Sequence, residues 1–289
     1  MTIRKVGVIG AGVMGLGIAQ MLAEHGIDVN LIDKEETLLE KAKENLNHSL
    51  NKAIEKWGIT ESEKKVILSK ITYSVKKELL KDVELVIESV DEILELKKAI
   101  FKEIDQICNP NAIFATNTST LSVTELASVT SRPEKFIGLN FTYPVVKREL
   151  VQIVRGLKTS DETFAISKTF VEQMNKTGIQ VFEAPGYVTV RLMMPLITEA
   201  INIVMEGVAS EDDVDTAMKL GFDFPYGPLE MADRMGLDAV LRVMEAMYKE
   251  YGEVKYRPSS FLKKLVRAGH LGEKTGQGFF KYENGERVK

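Results

Sequence analysis

Short apolar runs alternate with longer amphipathic stretches through the first 180 or so residues, and only amphipathic stretches follow. Lys5 to Ile9 is a β-branched run that meets Gly10, and a helical period starts near Met14. A second strand, Val29 to Ile32, ends in Asp33. Glu35 to Lys70 is charged and helical in period, with a break at Trp57-Gly58 and a restart at Thr60-Glu61-Ser62-Glu63, where a threonine three residues before a glutamate predicts a capping box. This reads as a helical hairpin inserted into the sheet. Strands follow at Leu85 to Ile87 and Ile113 to Ala115, flanking a helix over Glu92 to Ile107. The second of these strands breaks into the polar loop Thr116-Asn117-Thr118-Ser119, and Ser122 to Ala127 is a short helix. Lys135 to Phe141, Leu150 to Val154 and Ile179 to Phe182 are strands, with a helix over Asp161 to Lys176. Alternation of this kind predicts a mainly parallel, doubly wound α/β sheet. Beyond Ala184-Pro185-Gly186 the pattern is helical: Val188 to Glu206, Ser210 to Leu220, Pro228 to Tyr251 and Ser259 to Ala268. The expected domains are therefore residues 1–184, Rossmann-like, and 185–289, all-α.

Composition narrows the function classes. The chain has 289 residues, and its formal net charge of -4 argues against a general nucleic-acid binder. No apolar run approaches the roughly 18 residues of a membrane span. The N-terminal apolar run is a strand leading into a glycine motif rather than a signal peptide, so a cytoplasmic location is expected. The lone Cys108 leaves no disulfide framework and reads as a small buried hydrophobe. His25, His48 and His270 are too scattered for a metal site.

Gly10-Ala11-Gly12-Val13-Met14-Gly15 matches G-x-G-x-x-G, after a strand and before a helix, with Asp33 closing the next strand. Gly10 permits the tight turn, Gly12 lets backbone approach a pyrophosphate, and Gly15 lets the helix pack on the sheet. Val13 and Met14 lie at the helix N-terminus, whose free N–H groups favour phosphate. Asp33 suits ribose hydroxyls and favours NAD over NADP, a preference softened by Lys34. A glycine turn without a ligand is the alternative.

Beyond this fingerprint, the blocks GAGVMGLGIAQ, LVIESVDE, ATNTSTLS, APGY-x-x-x-RL, GVASEDDVDTAMKLG, PYGPLEMADRMGLD and YRPSSFLKKLVRAGHLGEKTGQGFF run through the chain in order. On them the chain resembles the 3-hydroxyacyl-CoA dehydrogenases, in particular the short bacterial 3-hydroxybutyryl-CoA type. The resemblance implies NAD in the first domain, a homodimer through the second, and an acyl thioester in the cleft between them. It places Ser119 on the substrate oxygen and Lys52 and Lys56 on the CoA phosphates. Glu88, Lys97 and Asn117 fall around the cofactor site. Taken alone, Lys52 and Lys56 share a helix face by their spacing, where a solvated face is the ordinary reading.

The family's proton-transfer motif, G-M-H-F-F-N-P-x-P-V-M-K-L-V-E, is altered here. Gly138 to Gln152 aligns with it without a gap, but Asn140 stands at the histidine and Gln152 at the glutamate. Val190 replaces an asparagine of the second domain, and Tyr143 replaces an asparagine of the loop. An amide donates and accepts hydrogen bonds but takes no proton near neutral pH, and loss of a general base typically costs about 10²–10⁴-fold. Tyr143, near Lys147, is the candidate surrogate proton carrier, with packing or substrate shaping as its other reading.

Three readings follow. One is an active dehydrogenase of 3-hydroxyacyl thioesters, carried on CoA or an acyl carrier protein, with a small polar acyl group and a modified proton-transfer site. Another is a catalytically silent NAD- and thioester-binding protein acting as a sensor or partner. A substrate-trapping variant is the third.

Overall fold

A computed structural model of the chain describes residues 3–56 and 58–288. Its contacts divide into two compact units, the first ending at Ala184 and the second starting at Pro185.

The first unit opens with β1 (Lys5–Ile9), α1 (Val13–Glu24) and β2 (Asp28–Ile32). The inserted pair α2 (Glu36–Glu55) and α3 (Glu61–Ser69) follows. The capping box forms: Thr60 Oγ1 accepts from Glu63 N at 3.2 Å, and Thr60 N donates to Glu63 Oε2 at 2.7 Å. Gly58 donates its N–H to Ala53 O, while Trp57 lies outside the described residues. Directly after α3 comes β3 (Ile71–Ser74), a strand the sequence pattern does not announce. Four residues at a sheet edge are too few to show an alternation, and the tail of a helical period runs into them.

The unit continues with β4 (Leu85–Glu88), α4 (Leu94–Ile104), β5 (Ile113–Thr116), α5 (Val123–Ala127), β6 (Phe136–Phe141), β7 (Leu150–Arg155), α6 (Asp161–Gln173) and β8 (Thr177–Phe182). The sheet order is β3-β2-β1-β4-β5-β6-β7-β8, and every pair is parallel except β6–β7. β4 and β5 are buried throughout, as strands covered on both faces must be, which is why they read as unbroken apolar runs. Leu39, Leu46 and Leu50 of α2 join Leu31 and Ile71 in one core, so the insertion covers the β3 edge.

In the second unit α7 (Thr189–Met205), α8 (Glu211–Phe222), α9 (Pro228–Met235), α10 (Leu237–Tyr251) and α11 (Ser260–Arg267) pack around Met194, Ile197, Leu229, Met244 and Leu262. The single helix expected over Pro228 to Tyr251 is two. Gly236, at φ +90, breaks it in a backbone region that suits only glycine. The unit is helical but also closes on a hairpin, β9 (Lys281–Glu283) and β10 (Glu286–Val288), turning through Asn284-Gly285 with both φ values positive. Asp233 anchors the segment before this hairpin: it accepts from Phe279 N and Phe280 N, each at 2.9 Å, and from the Tyr282 hydroxyl at 3.1 Å. Burial pushes its carboxyl up to about 6. Among the described residues no helix is long and apolar enough to cross a membrane.

Candidate active site

Parallel strands bring their C-terminal ends to one edge of the sheet, and the cofactor-site candidates of the first unit gather there. β1 ends at Ile9, and the glycine turn follows. Gly10 sits at φ +101, and a Cβ on it would meet Ser89 O at 2.5 Å. At Gly15 a Cβ would lie 1.8 Å from Gly10 O, so the helix approaches the turn as closely as glycine permits. A Cβ on Gly12 would meet nothing within 4 Å. That open approach lies over the N-terminus of α1, whose first turn has no side-chain cap. Val13 is 68 % exposed there, an apolar side chain left uncovered beside free N–H groups. Asp33 Oδ2 accepts from Ala11 N at 2.6 Å and Oδ1 from Lys34 N at 2.7 Å. Asp33 thus braces the turn, a duty beyond the ribose contact expected of it.

These contacts fit a dinucleotide and give a paired expectation. Gly15→Ala must displace the turn, so it should lower thermal stability and abolish NADH binding. Gly12→Ala should melt like the parent and still bind NADH more weakly, because its methyl fills ligand space only. Fluorescence titration with NADH, beside a thermal melt, checks both.

Next to the turn lies a buried charge cluster. Glu88 closes β4 with no exposure, and Lys97 of α4 is 1 % exposed. Lys97 Nζ donates to Glu88 Oε1 at 2.7 Å and lies 3.3 Å from Glu92 Oε2. Glu88 also accepts from Val90 N and from Thr116 Oγ1, each at 2.7 Å. Burial raises the Glu88 carboxyl above its ordinary range against the pull of Lys97. Burial works the same way on Glu92, but there Lys97 and the loop donors prevail and hold it below that range.

Glu92 is the functional residue the sequence pattern missed. Its Oε1 accepts from Thr118 Oγ1 at 2.5 Å, Ser119 N at 3.1 Å, Thr120 N at 3.2 Å and Thr120 Oγ1 at 3.0 Å. One carboxylate oxygen therefore shapes the loop that presents Ser119, whose hydroxyl makes no hydrogen bond among the described residues. The only local signal was an acid midway between Glu88 and Lys97. Asn117 ties the neighbouring elements: its Oδ1 accepts from Phe141 N at 2.9 Å and its Nδ2 donates to Ser89 Oγ at 3.3 Å.

Asn140 and Gln152 face each other across the antiparallel β6–β7 pair. Gln152 is fully buried, and its Nε2 donates to Asn140 Oδ1 at 2.9 Å. Asn140 Nδ2 donates to the Thr118 carbonyl at 3.0 Å. A carbonyl only accepts, so this bond fixes the orientation of the Asn140 amide and turns its oxygen to Gln152. The pair is connected and oriented, and neither member ionises.

The remaining candidates lie apart. Tyr143 is 61 % exposed on the loop after β6, and no hydrogen bond joins its phenol to Lys147 among the described residues. The turn there is made by backbone, with Lys147 N and Arg148 N both donating to Pro144 O. Lys52 occupies the last turn of α2 and Lys56 is its C-cap, both exposed. Val190 belongs to the second unit, partly buried against that unit's core in the first turn of α7. Cys108 is buried, and burial pushes its thiol up to about 12, which suits a packing role.

Comparison with known proteins gives the family. Residues 5–184 match the family model described as 3-hydroxyacyl-CoA dehydrogenase, NAD binding domain, and residues 186–282 match the C-terminal domain of the same family. A probable 3-hydroxybutyryl-CoA dehydrogenase of Deinococcus radiodurans is 43 % identical over 278 residues, covering 96 % of this chain and 100 % of the relative. The 3-hydroxybutyryl-CoA dehydrogenase of Clostridioides difficile is 42 % identical, with 96 % and 99 % covered. The crystal structure of (S)-3-hydroxybutyryl-CoA dehydrogenase from Ralstonia eutropha superposes with a TM-score of 0.93 at 43 % identity, over 98 % of this chain and 100 % of that one. Fold and turn together define an NAD-binding oxidoreductase. The chain belongs to the 3-hydroxyacyl-CoA dehydrogenase family.

Proposed function

We propose that this chain interconverts a 3-hydroxyacyl thioester and its 3-oxoacyl counterpart with NAD, through a site whose oxygen-binding pair is amide rather than acid–base. The observation that carries the reading is the Asn140–Gln152 pair, held in register beside an intact dinucleotide turn. NAD supplies a hydride acceptor or donor when bound. Gly12 and the N-terminus of α1 hold its pyrophosphate, and Asp33 its adenosine ribose. Asn140 Nδ2 has a second N–H beyond the one given to Thr118, and with the Ser119 hydroxyl it offers hydrogen bonds to the substrate oxygen. Two such donors polarise a carbonyl and hold charge developing on its oxygen. They remove no proton from a hydroxyl, so the proton is exchanged elsewhere. Tyr143, three residues beyond Asn140, is the surrogate carrier we assign. The polar groups Asn140, Thr142 and Tyr143, with Gln152 buried behind Asn140, favour a small polar acyl group.

Lys52 and Lys56, exposed at the end of α2, suit the phosphates of CoA or of a carrier protein's pantetheine arm. The second unit leaves Leu192, Val208, Leu220 and Phe222 more than two-thirds exposed, which supports a homodimer through this unit. A solution mass of one chain would contradict it.

The test is NADH absorbance during addition of acetoacetyl-CoA and of polar 3-oxoacyl thioesters on CoA and on carrier protein. Loss of NADH with any of them, abolished in Tyr143→Phe, is the expected result. Loss that survives Tyr143→Phe removes the tyrosine from the account. NADH bound without turnover across the panel favours the silent binding protein.

A further inference from the structure

Lys176 is a buried cation with no part in the chemistry above. It lies between α6 and β8, is 8 % exposed, and has no carboxylate within ion-pair distance among the described residues. Its Nζ instead donates to two backbone carbonyls, Val145 O at 2.8 Å and Arg148 O at 2.7 Å. Both belong to the loop of residues 142–149 that joins β6 to β7. Pro144 O already accepts from Lys147 N and Arg148 N, so this segment is a single helical turn with its later carbonyls unpaired. An ammonium at the carbonyl end of such a turn satisfies groups that burial would otherwise leave without partners. Burial lowers the Lys176 pKa, while Glu24 and Glu149 oppose that drift.

The same loop is seated from its other side. Val145 is 3 % exposed and belongs to the core, and a Cβ on Gly17 of α1 would lie 3.2 Å from it. The glycine lets the loop rest directly on the dinucleotide helix. One short loop thus connects the strand of Asn140 to the strand of Gln152, carries Tyr143, touches α1, and is fastened by Lys176.

We infer that Lys176 is a positioning residue: it pins the β6–β7 loop onto α1 and so fixes the amide pair and Tyr143 relative to the dinucleotide turn. The kinetic part of this inference rests on the dehydrogenase reading; the structural part does not. Misplacement of a reacting group by about 1 Å from a remote change can cost up to about 10²-fold in rate. Lys176→Met keeps the length and removes the donors. It should lower kcat by about 10–10²-fold while leaving the affinity for NADH unchanged, because the glycine turn is held by the Asp33 carboxylate and the Ile32 carbonyl rather than by this loop. Lys176→Arg retains charge and donors and should recover most of the rate.

Hydrogen exchange of the intact protein separates the two readings. In Lys176→Met, amides of residues 142–149 should exchange faster while those of β5 and α1 stay protected, whether or not the parent turns over. Val145→Ala, which removes the seat and keeps the donors, should show a milder form of the same pattern. Faster exchange of residues 142–149 in Lys176→Met, beside a parent that shows no turnover, would uphold the clamp and end the dehydrogenase reading. Unchanged exchange and an unchanged kcat in Lys176→Met would overturn the clamp with the dehydrogenase intact. Exchange that rises uniformly across the sheet would overturn it too, by making Lys176 a general stability residue.

Discussion

An Asn140→His, Gln152→Glu double variant is expected to reduce 3-oxoacyl thioesters about 10²–10⁴-fold faster than the parent near neutral pH. The two positions are register partners across β6 and β7, and their side chains already bond at 2.9 Å. Glutamate is nearly isosteric with Gln152 and would accept from the imidazole as Gln152 now donates to Asn140. A histidine so oriented titrates in the neutral range and can give or take the proton that the amide cannot. The single changes should not approach this gain. Gln152→Glu alone turns a fully buried carboxylate toward the Asn140 oxygen, an acceptor facing an acceptor, so it should also destabilise the fold. Asn140→His alone gains a titrating ring without the acid that orients it. Steady-state NADH oxidation for the parent, both singles and the double variant decides the matter. A double variant no faster than the parent would show that Tyr143 already carries the proton as well as an oriented histidine would.

The second large effect is on stability. Lys97→Met should cost roughly 3–5 kcal/mol at neutral pH, as removal of one member of a buried ion pair does. Lys97 is the shared cation of Glu88, which is fully buried, and Glu92. Without it Glu88 is left with the Val90 N–H and the Thr116 hydroxyl. Its carboxyl, already raised by burial, should rise further. A folded-state carboxyl pKa above the unfolded value means that the native state keeps a proton the unfolded chain releases. The loss in Lys97→Met should therefore be smallest in acid, where Glu88 is protonated in both folded proteins, and grow as pH rises from the parent's raised folded value through the still higher one of the variant. Glu88→Gln together with Lys97→Met should regain much of the stability, since the fully buried carboxylate is gone and Glu92, 38 % exposed at its side chain, keeps its loop donors. Denaturant melts at several pH values check all three. A Lys97→Met loss independent of pH would mean that packing of the lysine stem, not its charge, is what matters.

Much of this was legible in the residues. The glycine fingerprint, the strand before it and Asp33 after it encode a local geometry, and local geometry is what spacing records. The Asn140 and Gln152 substitutions were visible because the surrounding motif is otherwise ungapped. What stayed hidden depends on contacts between distant segments. Glu92 meets the Ser119 loop across 26 to 28 residues, and Lys176 meets the β6–β7 loop across 28 to 31. Nothing in the sequence around either residue marks its partner. The same holds for Asp33 as a brace of Ala11, a duty indistinguishable by spacing from its cofactor role. The break at Gly236 was missed because the apolar period continues through it, and only the positive φ shows that the helix stops. The final hairpin escaped because its strands are three residues each, too short to show alternation.

An oxygen-binding pair that does not ionise is tested most directly by the pH dependence of kcat/KM for 3-oxoacyl thioester reduction between about pH 5 and 8, the range in which an unperturbed histidine changes charge. A level profile across that range, with an inflection appearing only in the Asn140→His, Gln152→Glu variant, is the predicted result. An inflection of histidine type in the parent would contradict it, because it would place an ionising proton carrier where the structure has two amides.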